Sequence, residues 1–453
     1  MKEIKGTTKL CGLVGNPVEH SISPLIHNNL SKLKDIDMVY TTFRVEDEDV
    51  DSAIKGAYAL GIVGLNVTVP HKQRVMESLV AIDPLAKAIG AVNTLVRDEK
   101  GFKGYNTDIL GLERELMDEG LSIKNKTCII LGAGGAAGAI TFLCASREAK
   151  KVFVINRSLD KANSIKEAVN AHFNSDIVEV LGLDEYERIE DNDCLCIQCT
   201  SVGLYPNVED VIISDDAFYK KLSAGVDIIY NPYRTRFMKL CNKAGKKAYN
   251  GLKMLLYQGV CAYELWTDTK ISASECQKIY TKMRAHMAGN IILIGFMGSG
   301  KSTFGKWIAK HKDMEFIDTD DYIESKENMS INEIFETKGE EYFRELETSV
   351  VKELQAKLTN CVISVGGGLV VKPENQKLLA NMGKVVYLET PKCELIKRLS
   401  SSNNRPLLKD VNLSDRIDEL MEKREEIYKK AATVKVDTAN RDFEDMYKDI
   451  INS

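Results

Sequence analysis

"IILIGFMGSGKSTFGKWIAK", residues 291–310, runs from an apolar strand through a glycine-rich turn into a helix. Gly295, Gly300, Lys301 and Ser302 fit the spacing G-x-x-x-x-G-K-[ST]. In such a turn the glycines let backbone N–H groups face phosphate oxygens, the lysine neutralises the β and γ phosphates, and the next hydroxyl ligates Mg²⁺. Gly298, Ser299, Gly300, Lys301, Ser302 and Thr303 are therefore expected around the phosphates of ATP, and a parallel α/β sheet is expected beneath them. The turn names no acceptor, and it begins only at residue 291 of 453.

Working outward, 453 residues suggest about three domains. A hydrophobic fraction of 44% and a charged fraction of 28% suit soluble globular units, each with its own core. The net charge of −5 argues against a nucleic-acid surface. No apolar run reaches membrane-spanning length, and Gly6 to Lys9 interrupt any signal-peptide core at the start, so a cytoplasmic protein is expected. The 11 cysteines are odd in number and scattered, which fits a reduced interior. Cys194, Cys196 and Cys199 in "DCLCIQCT" alternate within an apolar run and read as a buried strand, with no fourth ligand at metal spacing.

Organisation follows from changes of period. "KLCGLVGN", "MVYTTFRV" and "GIVGLNVTV" read as strands, each followed by helix-period sequence. "KTCIILGAGGAAGAITFLCASREAKKVFVINRS" is one strand–helix–strand unit, with "CLCIQCT" and "AGVDIIY" as further strands. The helix "NGLKMLLYQGVCAYELWT" is expected to dock back on the first segment. The domains expected are residues 1–108 with 246–285, a Rossmann-like domain at 109–245, a linker at 286–290, and a phosphate-loop domain at 291–453.

In the last unit, "FIDTDDYIE" places Asp318 and Asp320 on one face at a strand end, where one can serve Mg²⁺ and the other meet an acceptor hydroxyl. "EEYFRELE" carries Arg344, "VISVGGGLV" a second glycine turn at Gly366, Gly367 and Gly368, "NNRPLLKD" Arg405, and "KREEIYKKAA" Arg424. Taken singly, each is ordinary surface or turn chemistry. Together and in this order they resemble shikimate kinase over residues 289–453. The resemblance implies that Asp320 orients the acceptor hydroxyl, that Arg344 and Arg424 hold the shikimate carboxylate, and that Gly367 lies against the ring. It further implies that Asp318 joins Ser302 at Mg²⁺ and that Arg405 reaches the transferring phosphate from a lid. Forked guanidiniums suit a carboxylate, and positioning with charge neutralisation carries phosphoryl transfer.

In the front segments, the turn Gly132, Ala133, Gly134, Gly135, Ala136 follows one strand, and Asn156, Arg157, Ser158 and Lys161 follow the next. A fold preferring NAD places an acid at that second position, whereas cations there suit the 2′-phosphate of NADP; Asp160 nearby keeps NAD open. Ser21 and Ser23 precede a helix start and can hold a carboxylate; Asn66, Thr68, Lys72, Asn93 and Asp108 supply further polar groups. His20 and His71 read as neighbours of this site with no chemistry of their own. The set "HSISP", "NVTVPHK", "GAVNT", "NTD", "GAGGAAG", "NRS", "TSVG" and "NGLKMLLYQ" resembles shikimate dehydrogenase over about residues 7–270. The resemblance implies Lys72 and Asp108 as the catalytic pair. It implies Ser21 and Ser23 on the carboxylate, with Asn66, Thr68, Asn93 and Gln258 around the substrate. Tyr230, Ile228 and Gly251 would line the ring and nicotinamide region. Two departures stand out from the family's pattern: Asn250 where aspartate is frequent, and Gln198-Cys199 where Asn-Ala is usual.

The combined expectation is a bifunctional enzyme of aromatic amino-acid precursor synthesis. It would reduce 3-dehydroshikimate with NADPH and phosphorylate shikimate with Mg-ATP, with no nucleic-acid or membrane partner; self-association into a homo-oligomer stays open. A regulatory protein without catalysis should lack reactive groups, yet Lys72, Asp108, Lys301, Ser302, Asp318, Asp320, Arg344, Arg405 and Arg424 are all present. A dehydrogenase taking quinate with NAD is the other alternative, which the serine pair and "NRS" oppose.

Overall fold

The computed structural model describes residues 3–204, 206–400, 413–439 and 441–451. The chain divides into two compact units, the division falling between Tyr280 and Thr281. Three sheets organise them. The first contains β1 (Lys9–Gly15), β2 (Met38–Arg44), β3 (Gly64–Val67), β4 (Ala81–Ile82), β5 (Thr94–Asp98) and β6 (Gly101–Tyr105), in the order β2-β1-β3-β5-β6-β4. It is mixed: β1, β2 and β3 run parallel, whereas β5 is antiparallel to both β3 and β6.

The second sheet is parallel throughout. It is built from β7 (Thr127–Leu131), β8 (Lys151–Ile155), β9 (Val178–Leu181), β10 (Cys194–Gln198), β11 (Leu222–Asp227) and β12 (Lys247–Asn250), ordered β12-β11-β10-β7-β8-β9. Such sheets are covered on both faces, so their strands are continuous apolar runs. Cys128, Ile130, Leu195 and Ile197 enter one core, while Ile129, Leu131, Cys194 and Cys196 enter the other. The alternation read from "DCLCIQCT" is this division of one strand between two cores. The second unit repeats the plan with β13 (Asn290–Ile294), β14 (Glu315–Asp318), β15 (Cys361–Ser364), β16 (Gly383–Glu389) and β17 (Val434–Asp437), ordered β14-β15-β13-β16-β17.

Two helices carry the chain between the first two sheets. Thr107–Asp118 leaves β6 for β7, and Leu252–Thr267 returns after β12. They pack closely, because a Cβ on Gly111 would lie 2.6 Å from the Gln258 backbone nitrogen. The returning helix also meets Ser23–Leu33, where the His27 and Trp266 rings lie 5.0 Å apart. These contacts bring Asp108 and Gln258, from distant sequence, to one place. Helix Ala273–Ala288 runs through residues 286–288, where a linker was expected; Gly289, at φ +65°, lies between it and β13. Among the described residues, no helix is long and apolar enough to cross a membrane.

Gly64 in β3 packs against Trp266, whose indole Nε1 donates to the Leu95 carbonyl at 2.9 Å. A Cβ added at Gly64 would lie 2.1 Å from that same nitrogen. Gly64→Ala should therefore destabilise the first unit by about 1–3 kcal/mol, read as a lower thermal midpoint. An unchanged midpoint would show that the indole moves freely.

Candidate active sites

The first site begins where β1 ends and helix Ser23–Leu33 starts. Ser21 Oγ donates to Ser23 Oγ at 3.2 Å and accepts from the Ser23 N–H at 3.2 Å, so both hydroxyls sit at the helix start. Asn66 on β3 is buried and fixed from three sides. Its Oδ1 accepts from the Tyr40 hydroxyl at 2.9 Å, and its Nδ2 donates to Thr94 Oγ1 at 3.0 Å and to the Asn93 carbonyl at 3.3 Å. Asn93 Oδ1 in turn accepts from the Thr107 N–H at 2.7 Å, beside the helix carrying Asp108. Lys72 Nζ lies 2.7 Å from Asp108 Oδ2, with each side chain about a quarter to a third exposed (31% and 26%).

Two cavities adjoin this ion pair. One, of about 340 Å³, is walled by Ser21, Ser23, Asn66, Thr68 and Asn93. The other, of about 420 Å³, is more apolar and includes Gly135, Ala136, Ile228 and Gly251. Lys72, Asp108, Tyr230 and Gln258 line both. All the residues assigned to the substrate thus meet in one cavity, and the pair stands at its junction with the second. Gly132, at φ +112°, and Ala133 form the turn between β7 and the helix that begins at Gly135, capped by Gly134. Asn156 lies at the end of the neighbouring β8, and Arg157, Ser158 and Lys161 are exposed beside it. His20 lines the substrate cavity, whereas His71 is buried, 2.7 Å from the Val45 carbonyl.

In the second unit, a cavity of about 470 Å³ surrounds Gly298, Ser299, Gly300, Lys301, Ser302 and Thr303. Lys301 Nζ donates to the carbonyls of Gly295 and Phe296 at 2.9 and 3.0 Å. Ser302 Oγ donates to Asp318 Oδ2 at 2.7 Å, while Asp318 Oδ1 caps the next helix by accepting from the Asp320 N–H at 3.1 Å. The second glycine turn lies against the expected acceptor residues. A Cβ on Gly366 would fall 2.7 Å from Asp320 Oδ1, and one on Gly368 would fall 2.5 Å from Arg344 Nη1. Gly367 faces the phosphate loop, with its Cβ position 3.4 Å from the Met297 nitrogen. Arg424, half-buried, lies one helical turn before Tyr428. Arg405 lies outside the described residues.

Family models match in the same order along the chain. "Shikimate dehydrogenase substrate binding domain" covers residues 13–95, "Shikimate / quinate 5-dehydrogenase" 115–209, and "Shikimate 5'-dehydrogenase C-terminal domain" 251–278. "Shikimate kinase" covers residues 297–453. The shikimate dehydrogenase (NADP(+)) of Caldanaerobacter subterraneus subsp. tengcongensis is 39% identical over 285 residues, spanning 63% of this chain and all of that protein. That of Methanobrevibacter smithii is 41% identical, over 62% of this chain and 98% of its own length. A crystal structure of a shikimate dehydrogenase in complex with NADP+ superposes with a TM-score of 0.57 at 37% identity, covering 62% of this chain and 97% of that one.

The chain belongs to the shikimate dehydrogenase family. Behind that region it carries a shikimate kinase domain, and the two together make it a bifunctional enzyme.

Several residues of the kinase domain's site were not singled out by the sequence. Glu347 is buried between Arg344, whose Nη1 donates to it at 2.8 Å, and the glycine turn. Its spacing of three residues from Arg344 on a helix was the available signal. Thr319 Oγ1 accepts from the Gly366 N–H at 3.1 Å, and the Tyr428 hydroxyl donates to the Gly367 carbonyl at 2.5 Å. The turn is thereby tied to the segment of Asp320 on one side and the helix of Arg424 on the other. Arg398, Thr438, Arg441 and Phe443 wall the nucleotide cavity from distant sequence. In the dehydrogenase, the apolar Met254 and Leu255 complete the second cavity.

Burial pushes the Glu347 carboxyl up to about 7, against the opposing pull of Arg344. The folded state therefore holds a proton that the unfolded chain, with an ordinary carboxyl at 4.5, has already released. That stabilisation is full below the unfolded value and is lost as pH rises through the folded one. Glu347→Gln cannot titrate. The midpoint of wild type minus that of the variant should fall between about pH 5 and about pH 8. A difference independent of pH would contradict the burial assignment.

Proposed function

We propose that the front region reduces 3-dehydroshikimate to shikimate with NADPH, and that the kinase domain transfers the γ-phosphoryl group of Mg-ATP to that shikimate, both in the cytoplasm. The observation that carries the reading is that one ion pair, Lys72 with Asp108 at 2.7 Å, lines both cavities of the dehydrogenase. A group at such a junction stands where hydride passes between two bound molecules. NADPH, when bound, supplies that hydride. As the ketone is reduced, negative charge grows on its oxygen; the Lys72 ammonium stabilises the charge and delivers a proton. Asp108 orients the ammonium and accepts from a ring hydroxyl.

Ser21 and Ser23 would hold the carboxylate with hydroxyls at a helix start, and Asn66, Thr68 and Asn93 would surround the ring. Tyr230 and Gln258 would close the site on the cofactor side. Arg157 and Lys161, exposed past β8, would meet the 2′-phosphate of NADP, in keeping with the NADP(+) in the relatives' names. Reduction is the favoured direction because the next catalyst on the chain consumes shikimate.

In the kinase domain, Asp320 would accept the hydroxyl proton, while Arg344 and Arg424 grip the carboxylate. Gly366 and Gly368 let that acid approach closely, since side chains there would strike Asp320 and Arg344 respectively. The convergent Ser302 hydroxyl and Asp318 carboxylate are hard oxygen donors that fit Mg²⁺, which would neutralise phosphate charge there. Lys301 would exchange its two carbonyl partners for phosphate oxygens. The lid role of Arg405 rests on the resemblance alone.

One assay tests both halves: 3-dehydroshikimate, NADPH and Mg-ATP in one vessel, followed as NADPH loss and as phosphorylated product. Lys72→Ala should lower kcat of the reduction by about 10²-fold or more while phosphorylation of added shikimate continues. Lys301→Ala should do the reverse. If Lys72→Ala raises only KM, Lys72 binds and does not catalyse. Arg157→Ala should raise KM for NADPH about 10-fold and leave NADH use nearly unchanged; equal effects on the two cofactors would refute the 2′-phosphate assignment.

A further inference from the structure

In the second sheet the chain leaves β7 toward β8 and β9 on one side, and leaves β10 toward β11 and β12 on the other. Ligands of such sheets sit in the crevice at the carboxyl ends of the two strands flanking this switch. Gln198 is the last residue of β10, opposite Leu131 that ends β7 and Asp227 that ends β11. It is 2% exposed. A carboxamide has two N–H donors and two lone pairs, and here all four are used. Oε1 accepts from the Thr200 N–H at 2.5 Å and the Thr200 hydroxyl at 2.8 Å. Nε2 donates to the Val202 carbonyl at 3.2 Å and to Asp227 Oδ1 at 3.2 Å.

Asp227, wholly buried, accepts as well from the Ile229 N–H at 3.0 Å and the Thr235 hydroxyl at 2.6 Å. One side chain thus joins the loop 199–203 to the segment 228–230. That loop covers the phosphate turn, since a Cβ on Gly132 would lie 2.5 Å from the Thr200 methyl. The segment supplies Ile228 and Tyr230 to the cofactor cavity. The strand end does not need the carboxamide: the Cys199 N–H already donates to the Leu131 carbonyl, and the Ile228 N–H to the Gln198 carbonyl.

We propose that Gln198 is a positioning residue for the dinucleotide, holding the loop 199–203 over the phosphate turn and the segment 228–230 in the wall of the cofactor cavity. The inference rests on the cofactor-site reading above. Gln198 touches neither reacting atoms nor the substrate cavity. Its loss would remove one of the three donors to Asp227 and the acceptor of the Thr200 N–H, and the loop would settle elsewhere.

The test uses the full chain with Gln198→Leu and Gln198→Glu, varying NADPH and 3-dehydroshikimate separately and recording thermal midpoints. Gln198→Leu should raise KM for NADPH about 10-fold, with KM for 3-dehydroshikimate within about twofold. Gln198→Glu sets a carboxylate against Asp227, which burial already pushes up to about 6. The thiols facing Asp227, those of Cys196, Cys199 and Cys241, are raised by burial and stay neutral. A proton shared by the two carboxylates restores the lost donor. NADPH affinity of Gln198→Glu should therefore recover as pH is lowered from about 8 to about 5.5, with no such recovery in wild type. An unchanged KM for NADPH in Gln198→Leu overturns the proposal, as does an equal rise for both substrates with a lowered midpoint. If the leucine variant does not fold, absence of acid recovery in Gln198→Glu overturns it. Arg157→Ala separates the two readings: should it leave KM for NADPH unchanged, the cofactor site itself is misassigned. Should it raise that KM while the Gln198 variants do not, only the present inference fails.

Discussion

A strand buried on both faces of a parallel sheet can carry no chemistry along its length. Its side chains belong to the two cores, so polar work is displaced to the carboxyl end, where the chain must turn into a helix. Both nucleotide sites of this chain obey that constraint. β7 and β13 are buried throughout, and each opens at once into a glycine turn. The helices that follow begin with N–H groups lacking intrahelical partners, which is where anionic phosphates are best held. Gln198, Asp227 and Asp318 occupy the ends of other strands in the same two sheets for the same reason.

On the function proposed, the two acid-binding sites would handle the same carboxylate by different means. In the dehydrogenase, hydroxyls at a helix start would suffice, and the lysine would be reserved for charge that develops during reduction. In the kinase domain the acid would lie near a polyphosphate, and the two guanidiniums proposed to grip it would offset that repulsion. Glu347 sits beside the first of these guanidiniums. Buried at 1% exposure, it pairs with Arg344 and keeps the guanidinium aligned along the glycine turn. The turn is itself held by Thr319 and Tyr428, so the geometry around the acceptor does not depend on the acceptor being bound.

Much of this was legible in the sequence because the decisive signals are local. Glycine turns between apolar strands and helices marked β7 and β13 with their sites, and the alternating cysteines marked β10. Each of the runs read as strands at the start became β1, β2 and β3. The hairpin of β5 and β6 and the two-residue β4 were not visible, since short strands in a mixed sheet lack a long apolar run. Residues acting through long-range packing were equally hidden. Glu347 lies among the other acids of "EEYFRELE", and burial alone distinguishes it. Arg398, Arg441 and Phe443 reach the nucleotide cavity from far along the chain. Residues 286–288 looked like a linker because they are short of apolar pattern, yet alanine and methionine there favour helix until Gly289.

The central claim is that two separate pockets on one chain recognise the same small cyclohexene acid. Equilibrium dialysis of the full chain against labelled shikimate, with ADP present and no nicotinamide cofactor, measures this directly. The account predicts two molecules bound per chain at saturation, falling to one when Arg344 and Arg424 are both replaced. A single molecule bound by the unaltered chain would contradict it.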